Sequence, residues 1–201
     1  FREFAFYGDA DALFGRQRLE GFRTRLAEGG FAVRSFLHGG RKDARTLASL
    51  PRPVGVFAAS DERGSPLLNA MVNAGFRAPE QAAVVGVDND DLLCEIAPVP
   101  LSSVDPAADR VGFQAAELLD RLLRGEQAPP EPILVPPARV VPRESSEVCA
   151  VEDPDLADAV AFIRAHACDP VTVGDVVDAT AVSRRTLENR FKSYFGRTLH
   201  Q

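Results

Sequence analysis

The chain's 201 residues, 45% of them hydrophobic but without a long apolar run, leave room for one full domain and a small second one and speak against a membrane-spanning protein. A net charge of −6 excludes a general nucleic-acid coat, so any contact with DNA has to be local. Cys94, Cys149 and Cys168 are odd in number, widely spaced and in no C-x-x-C pattern, which excludes a disulfide framework and a zinc site and fits idle thiols in a reducing cytoplasm.

Residues 1–143 alternate short apolar runs with helical patterns, as an α/β domain with a doubly wound parallel sheet does. Residues 3–7, 31–36, 54–58 and 82–87 are the expected strands, each short and apolar enough for burial on both faces. Residues 12–29 form the first covering helix. A second is expected to open near Ser65, which would cap it, with Pro66 at the first helical position, Leu67, Leu68 and Met71 on the inner face and Gly75 closing it. Strands alternating with helices require right-handed crossovers, so the loops that follow the strands gather at the carboxyl edge of the sheet, where ligands bind.

Several polar groups belong to that edge. Arg18 lies on the first helix, Asp61 follows the third strand, and Asp88 with Asn89 follows the fourth. Carboxylates and a guanidinium converging on a cleft suit a polyol, whose hydroxyls donate to the acids and accept from arginine's planar fork. Taken singly, each aspartate also fits a helix N-cap, and Arg18 a solvated helix position. A rival reading is an enzyme, because Asp88, Asp90 and Asp91 form a carboxylate cluster of the kind that holds Mg²⁺ for phosphoryl chemistry. Against it, the chain has no G-x-x-x-x-G-K-[ST], G-x-G-x-x-G or G-x-S-x-G motif, and His38, His166 and His200 fall in a loop, a helix and the chain end.

Residues 144–153 are polar and read as a linker, and residues 154–201 as a small helical domain. Its segment Val171 to Gly196 has the spacing of a helix-turn-helix. Val173, Val176 and Val177 make an apolar patch on the leading helix. After the turn, Ser183 is an N-cap, with Val182 and Leu187 as a hydrophobic staple. Leu187 and Phe191, completed by Tyr194 and Phe195, form the packed face of the last helix, leaving Arg185, Glu188, Asn189 and Lys192 on the other. Charge follows the same division. Asp153, Asp155, Asp158, Asp169, Asp175 and Asp178 precede the turn against a single Arg164, whereas Arg184, Arg185, Arg190, Lys192 and Arg197 follow it, opposed only by Glu188.

The order Val160-Ala-Phe-Ile-Arg-Ala-His166, Val171-Thr-Val and Ser183-Arg-Arg-Thr-Leu-Glu-Asn-Arg-Phe-Lys192 resembles the first of the two helix-turn-helix units of AraC/XylS-type transcription regulators. The resemblance implies DNA binding through Ser183, Arg184, Arg185, Glu188, Asn189 and Lys192, with Arg185, Glu188 and Asn189 reading bases and Arg184 and Lys192 nearer the phosphates. Where the family often carries glycine in the turn, this chain has Ala181, and a left-handed backbone there would cost alanine about 1 kcal/mol. A second unit is expected downstream of Gln201.

The stretches Pro53-Val-Gly-Val-Phe-Ala-Ala-Ser-Asp61, Gly75-Phe-Arg-Ala-Pro-Glu-Gln-Ala-Ala-Val-Val-Gly-Val-Asp-Asn89 and Leu101-Ser-Ser-Val-Asp-Pro106 resemble the effector domains of LacI/GalR regulators and periplasmic sugar-binding proteins. That resemblance implies the carboxyl-side lobe of a two-lobed domain, with Arg18, Ser60, Asp61, Asp88 and Asn89 gripping a sugar and the other lobe encoded before Phe1. The helix 106–124 would cross to that lobe, its stripe of Val111, Ala115, Leu118, Leu119 and Leu122 packing there. An effector domain of this kind joined to an AraC-type reader implies a pentose sensor, with D-xylose as the effector. Promoter DNA and the sugar are the expected partners, a homodimer the expected full-length state and RNA polymerase a candidate further partner. No cofactor, metal or catalytic residue is expected. A sugar-binding protein without regulatory function is the other alternative, disfavoured by the appended reader and by the lack of an export signal.

Overall fold

Short β-branched and small apolar runs make the sheet of the first part of the chain. The strands β1 (Glu3–Tyr7), β2 (Val33–Phe36), β3 (Val54–Ala58), β4 (Ala82–Val87), β5 (Ser102–Asp105) and β6 (Arg139–Val141) form one six-stranded sheet in the order β2-β1-β3-β4-β5-β6. All neighbours are parallel except β5 and β6, which pair antiparallel. This computed structural model describes residues 1–8, 12–36, 49–147, 153–166 and 168–199; His38, Cys149 and His200 lie outside them. The chain divides into two compact units, Phe1–Val148 and Cys149–Gln201.

Helices meet the sheet on both faces, as in a doubly wound fold. On one face Ala5, Tyr7, Val54, Val56, Ala82 and Val84 pack with Leu67, Leu68 and Met71 of α2 (Asp61–Asn73) and with Cys94 of α3 (Asp91–Glu95). On the other, Phe6 and Ala59 pack with Leu19 of α1 (Leu13–Glu28), and Phe22 and Phe57 join them with ring centroids 5.1 Å apart. Alternation along each strand sends successive side chains to opposite layers, so both layers are apolar.

One helix start differs from expectation. α2 begins at Asp61, directly after β3, and not near Ser65; Pro66 lies inside the helix. The capping residue is Ser60, whose carbonyl accepts from Arg63 N and Gly64 N. Asp61 and Glu62 in the first turn favour this earlier start, since acidic groups complement the positive helix end. The other end behaves as read: Gly75, at φ +81°, lets Gly75 N reach Val72 O and Phe76 N reach Met71 O, which closes the helix and sends Phe76 into the core.

α4 (Ala108–Leu123) has no buried residue, and Val111, Phe113, Leu119, Leu122 and Leu123 are all exposed. Beyond β6, Glu144–Ser146 forms a short 3₁₀ turn instead of opening a linker. Ser145 is fully buried there, donating to Val84 O at 2.6 Å and accepting from Ser102 N at 2.8 Å. Its polarity reads as linker in sequence, but the hydroxyl serves two backbone groups of the sheet.

The second unit holds α5 (Pro154–Ala165), α6 (Val173–Asp178) and α7 (Arg184–Phe195). Each start is capped: Asp153 accepts from Asp155 N and Leu156 N, Thr172 and Asp175 form a capping box, and Ser183 accepts from Thr186 N. Leu156, Ala157, Ala159, Val176 and Leu187 make the core, with Val182, Phe191 and Phe195 packed against it. Val182 and Leu187 thus share one cluster, as a staple does. Tyr194 departs from the expected base: it is exposed and meets Phe195 edge to face. Ala181 is not left-handed, because the only positive-φ residues other than glycine among those described are Asp88, Asn89 and Ala107.

Candidate functional site

Because β1, β3, β4 and β5 run parallel, their carboxyl ends share one edge. Arg18 reaches it from α1. Its guanidinium donates to Ala59 O, just past β3, and meets Asp88 Oδ1, just past β4, at 3.2 Å. Phe14 lies beneath it, 5.1 Å from ring centroid to the guanidinium carbon. The two side chains remain 26% and 48% exposed, so the pair presents a donor fork and a carboxylate to solvent. Beside Arg18 a groove of about 240 Å³ runs along Val87, Val104, Pro106 and Pro137, where the chain leaves β5 and approaches β6.

Asp88 and Asn89 hold left-handed backbones, at φ 111° and 51°. Such conformations cost about 1–3 kcal/mol each and persist only where the surroundings over-determine them. Here the successive amides of the loop are all tied: Asp88 N to Val104 O, Asn89 N to Ser103 Oγ and Asp90 N to Asp61 Oδ2, at 2.9–3.0 Å. Asn89 Oδ1 is buried and has no hydrogen-bond partner among the described residues. An acceptor in that state calls for a donor from a ligand or water.

Asp61 does not face the cleft. It is 0% exposed, and both oxygens are engaged: Oδ1 accepts from Ser103 Oγ at 2.6 Å, and Oδ2 accepts from Asp90 N and the Cys94 thiol. Burial raises its carboxyl above the ordinary 3.8. The direct sugar contact expected of Asp61 is therefore corrected to an internal tie between α2, β5 and the 88–90 loop. Ser60 stands next to it, nearly buried, and its hydroxyl does not cap α2. The structure brings Arg18, Ser60, Asp88 and Asn89 to one edge and withdraws Asp61 beneath it. Ser103 was not singled out in the sequence; the signal was available in two adjacent serines, Ser102 and Ser103, inside a strand that is wholly buried at both.

The carboxylates at 88, 90 and 91 do not converge. Asp88 turns to Arg18, Asp90 caps α3 through Leu93 N, and Asp91 pairs with Arg143 at 3.2 Å. Among the described residues no cluster of His, Cys, Asp or Glu is arranged to hold a metal ion. The Cys94 thiol is pushed up to about 12, first by burial and then by Asp61, and stays protonated. Cys168 is an exposed free thiol.

In the second unit α7 carries the exposed face expected of it. Leu187 anchors the inner side, while Arg184, Arg185, Asn189 and Lys192 are exposed. Glu188 is partly covered and accepts from Arg184 Nε at 2.9 Å, one helical turn earlier. Ser183 caps the helix start, so its hydroxyl is directed at Thr186. Arg190 departs from the charge-based reading. It donates to both Asp153 and Asp155 at the start of α5.

Comparison with known proteins agrees with both units. Residues 1–146 match the model of the periplasmic binding protein-like domain, and residues 163–201 that of the bacterial regulatory helix-turn-helix proteins of the AraC family. The chain is 36% identical to the xylose operon regulatory protein of Escherichia coli strain K12 over 98% of its own length and 54% of that protein. It is 39% identical to the Haemophilus influenzae protein of the same name, over 77% of this chain and 40% of that one. The solved structure of a xylose-binding transcription activator superposes with a TM-score of 0.78 at 36% identity, covering 99% of this chain and 56% of the other. The chain thus spans about half the length of the curated relatives it matches, and those relatives are transcription regulators, not enzymes. The chain belongs to the periplasmic binding protein-like family, in the group whose effector domain is followed by an AraC-family helix-turn-helix.

Proposed function

We propose that this chain is the sensing lobe and first DNA-reading unit of a transcription regulator that responds to a pentose, D-xylose, and controls genes of pentose breakdown. The observation that carries the reading is the Arg18–Asp88 pair at the carboxyl edge of the sheet, in one chain with a helix whose Arg185, Asn189 and Lys192 are exposed. Vicinal hydroxyls of a sugar donate to Asp88 and accept from Arg18, with Ser60 and the Asn89 acceptor completing one side of the grip. The names of the relatives point to xylose among the polyols.

The regulator acts by linkage. Sugar binding favours a closed arrangement of two lobes, and closure favours one placement of the readers of a dimer on promoter DNA, where RNA polymerase is recruited. Its effect is limited by the differential affinity of the sugar for the closed state; a switch from mostly inactive to mostly active needs about 5.5 kcal/mol. The protein works in the cytoplasm, where promoter and sugar meet; among the described residues no helix is long and apolar enough to cross a membrane.

Calorimetry on the protein at the full length of its reading frame tests the reading. Saturable binding of D-xylose, tighter than of D-ribose or L-arabinose and accompanied by altered affinity for promoter DNA, is expected. Equal binding of unrelated polyols, or metal-dependent turnover of a phosphorylated substrate, would overturn it.

A further inference from the structure

The buried tie beneath the cleft has a role of its own. We propose that Ser103 and Asp61 are positioning residues of the effector site, holding the 88–90 loop in the one backbone conformation that turns Asp88 toward Arg18; the inference rests on the sugar-sensing reading above.

Two of the three amides that fix the loop end on these side chains. Asn89 N donates to Ser103 Oγ at 3.0 Å and Asp90 N to Asp61 Oδ2 at 2.9 Å. The hydroxyl of Ser103 has a single proton and spends it on Asp61 Oδ1 at 2.6 Å, so it is obliged to accept from Asn89. By accepting that proton Asp61 sets the polarity of Ser103, and Ser103 sets the position of Asn89. The geometry of the neighbouring strand is adapted to this tie: a Cβ at Gly86 would collide with Asp61 Oδ1. Cys94 adds a weaker thiol contact to Asp61 Oδ2, fastening α3 to the same carboxylate. Neither Ser103 nor Asp61 has any surface exposed, so neither touches the sugar. Their action runs through the left-handed Asp88 and Asn89, whose backbones relax to ordinary regions once their amides are released.

The test uses the full-length protein and three variants, Ser103→Ala, Asp61→Asn and Ser103→Thr. Ser103→Ala and Asp61→Asn are expected to weaken D-xylose binding about tenfold or more, and Ser103→Thr, which keeps the hydroxyl, to recover most of that loss. Amide exchange in the sugar-free protein provides a readout that global destabilisation does not mimic. In Ser103→Ala the amides of Asn89 and Asp90 should exchange about tenfold faster while those of β1 and β3 keep their rates. Unchanged xylose affinity, or equal acceleration across the whole sheet, overturns the proposal and leaves the pair as ordinary core. If the unaltered protein binds no pentose, the sugar reading fails, and the exchange contrast alone decides whether Ser103 positions the loop.

Discussion

Arg190 of α7 donates to Asp153 Oδ2 at 3.0 Å, although 37 positions separate them, and Asp153 Oδ1 is the cap of α5. A basic residue on the helix proposed to read DNA is thus committed to holding the helical unit together. Asp155 takes a second contact from the same guanidinium nitrogen at 3.1 Å. Partly exposed pairs of this kind contribute about 0–1 kcal/mol, more when networked with a cap. Arg190→Ala is expected to lower the melting temperature of the second unit slightly while leaving the salt dependence of DNA binding unchanged. A reduced slope of log affinity against log salt would show that Arg190 touches phosphate after all.

The exposed side of α7 predicts the opposite division. Arg185 has the planar fork for a guanine edge and Asn189 the amide for an adenine edge. Replacing either by alanine should cost about 1–3 kcal/mol of discrimination at one base position, with the others unaffected. Lys192→Ala should weaken binding to all sequences alike and reduce the salt slope by about 1. Competition among single-base-substituted duplexes at several salt concentrations separates the two behaviours. The 201-residue chain tested by itself is expected to give no sequence-specific shift at physiological salt, since a single helix-turn-helix supplies few base and phosphate contacts. Tight specific binding by this chain would contradict that expectation.

At the other unit, Arg18→Ala and Asp88→Ala should abolish measurable sugar binding and barely disturb folding. Each side chain is more than a quarter exposed, so solvent screens their attraction and the pair adds little to stability. Sugar titrations and urea denaturation on the same samples compare the two effects. A large loss of stability with intact affinity would reassign the pair to structure.

The strands at 54–58 and 82–87 were legible to the residue, because buried parallel strands are apolar on both faces and end in turn residues. The first strand was equally clear, and the exposed face of α7 followed from helical spacing. What the sequence concealed was which polar groups go inside. Ser65-Pro66 imitates a helix start, yet the capping Ser60 and acidic first turn lie earlier. Asp61 has the composition of a ligand and the burial of a core residue, and only the proximity of Ser103, from a strand 42 positions on, decides between them. Glu144–Ser146 reads as linker for the same reason. Long-range hydrogen bonds leave no local periodicity, so pattern reading does not find them.

Asp61 makes the buried tie sensitive to pH in a defined direction. Desolvation raises its folded value above the ordinary 3.8, outweighing the hydrogen bonds from Ser103, Asp90 and Cys94 that pull it down. The folded state therefore holds this proton more tightly than the unfolded chain. Its contribution to stability is fully present below the ordinary value and is lost as pH rises through the raised one. Asp175 runs the other way, its carboxyl lowered by the Thr172 side-chain and backbone bonds, so its contribution is lost as pH falls. Comparing Asp61→Asn with the unaltered protein isolates the first effect, because the amide carries no titrating proton. The stability advantage of the unaltered protein over Asp61→Asn should shrink over the interval in which pH climbs from the ordinary 3.8 through the raised value. An advantage that grows over that interval would mean the hydrogen bonds outweigh burial.

α4 supplies the last prediction. Its Leu119 and Leu122 lie on the same side of the helix as Val111 and Leu118 by helical spacing, and none of the helix is buried. Burying a leucine is worth about 1.5–3 kcal/mol, so a helix with this composition is driven to find a covering surface. In a solution of the 201-residue chain the available surface is that of other copies. The chain should therefore associate with increasing concentration in sedimentation experiments, and the double variant Leu119→Lys with Leu122→Lys should remain monomeric without a lower melting temperature. The lack of a stability penalty is the discriminating part: lysines at positions packed inside the unit would unfold it, whereas lysines on a bare face only remove the tendency to associate. If the double variant melts well below the unaltered chain, α4 is held against its own unit in solution and its face is not bare.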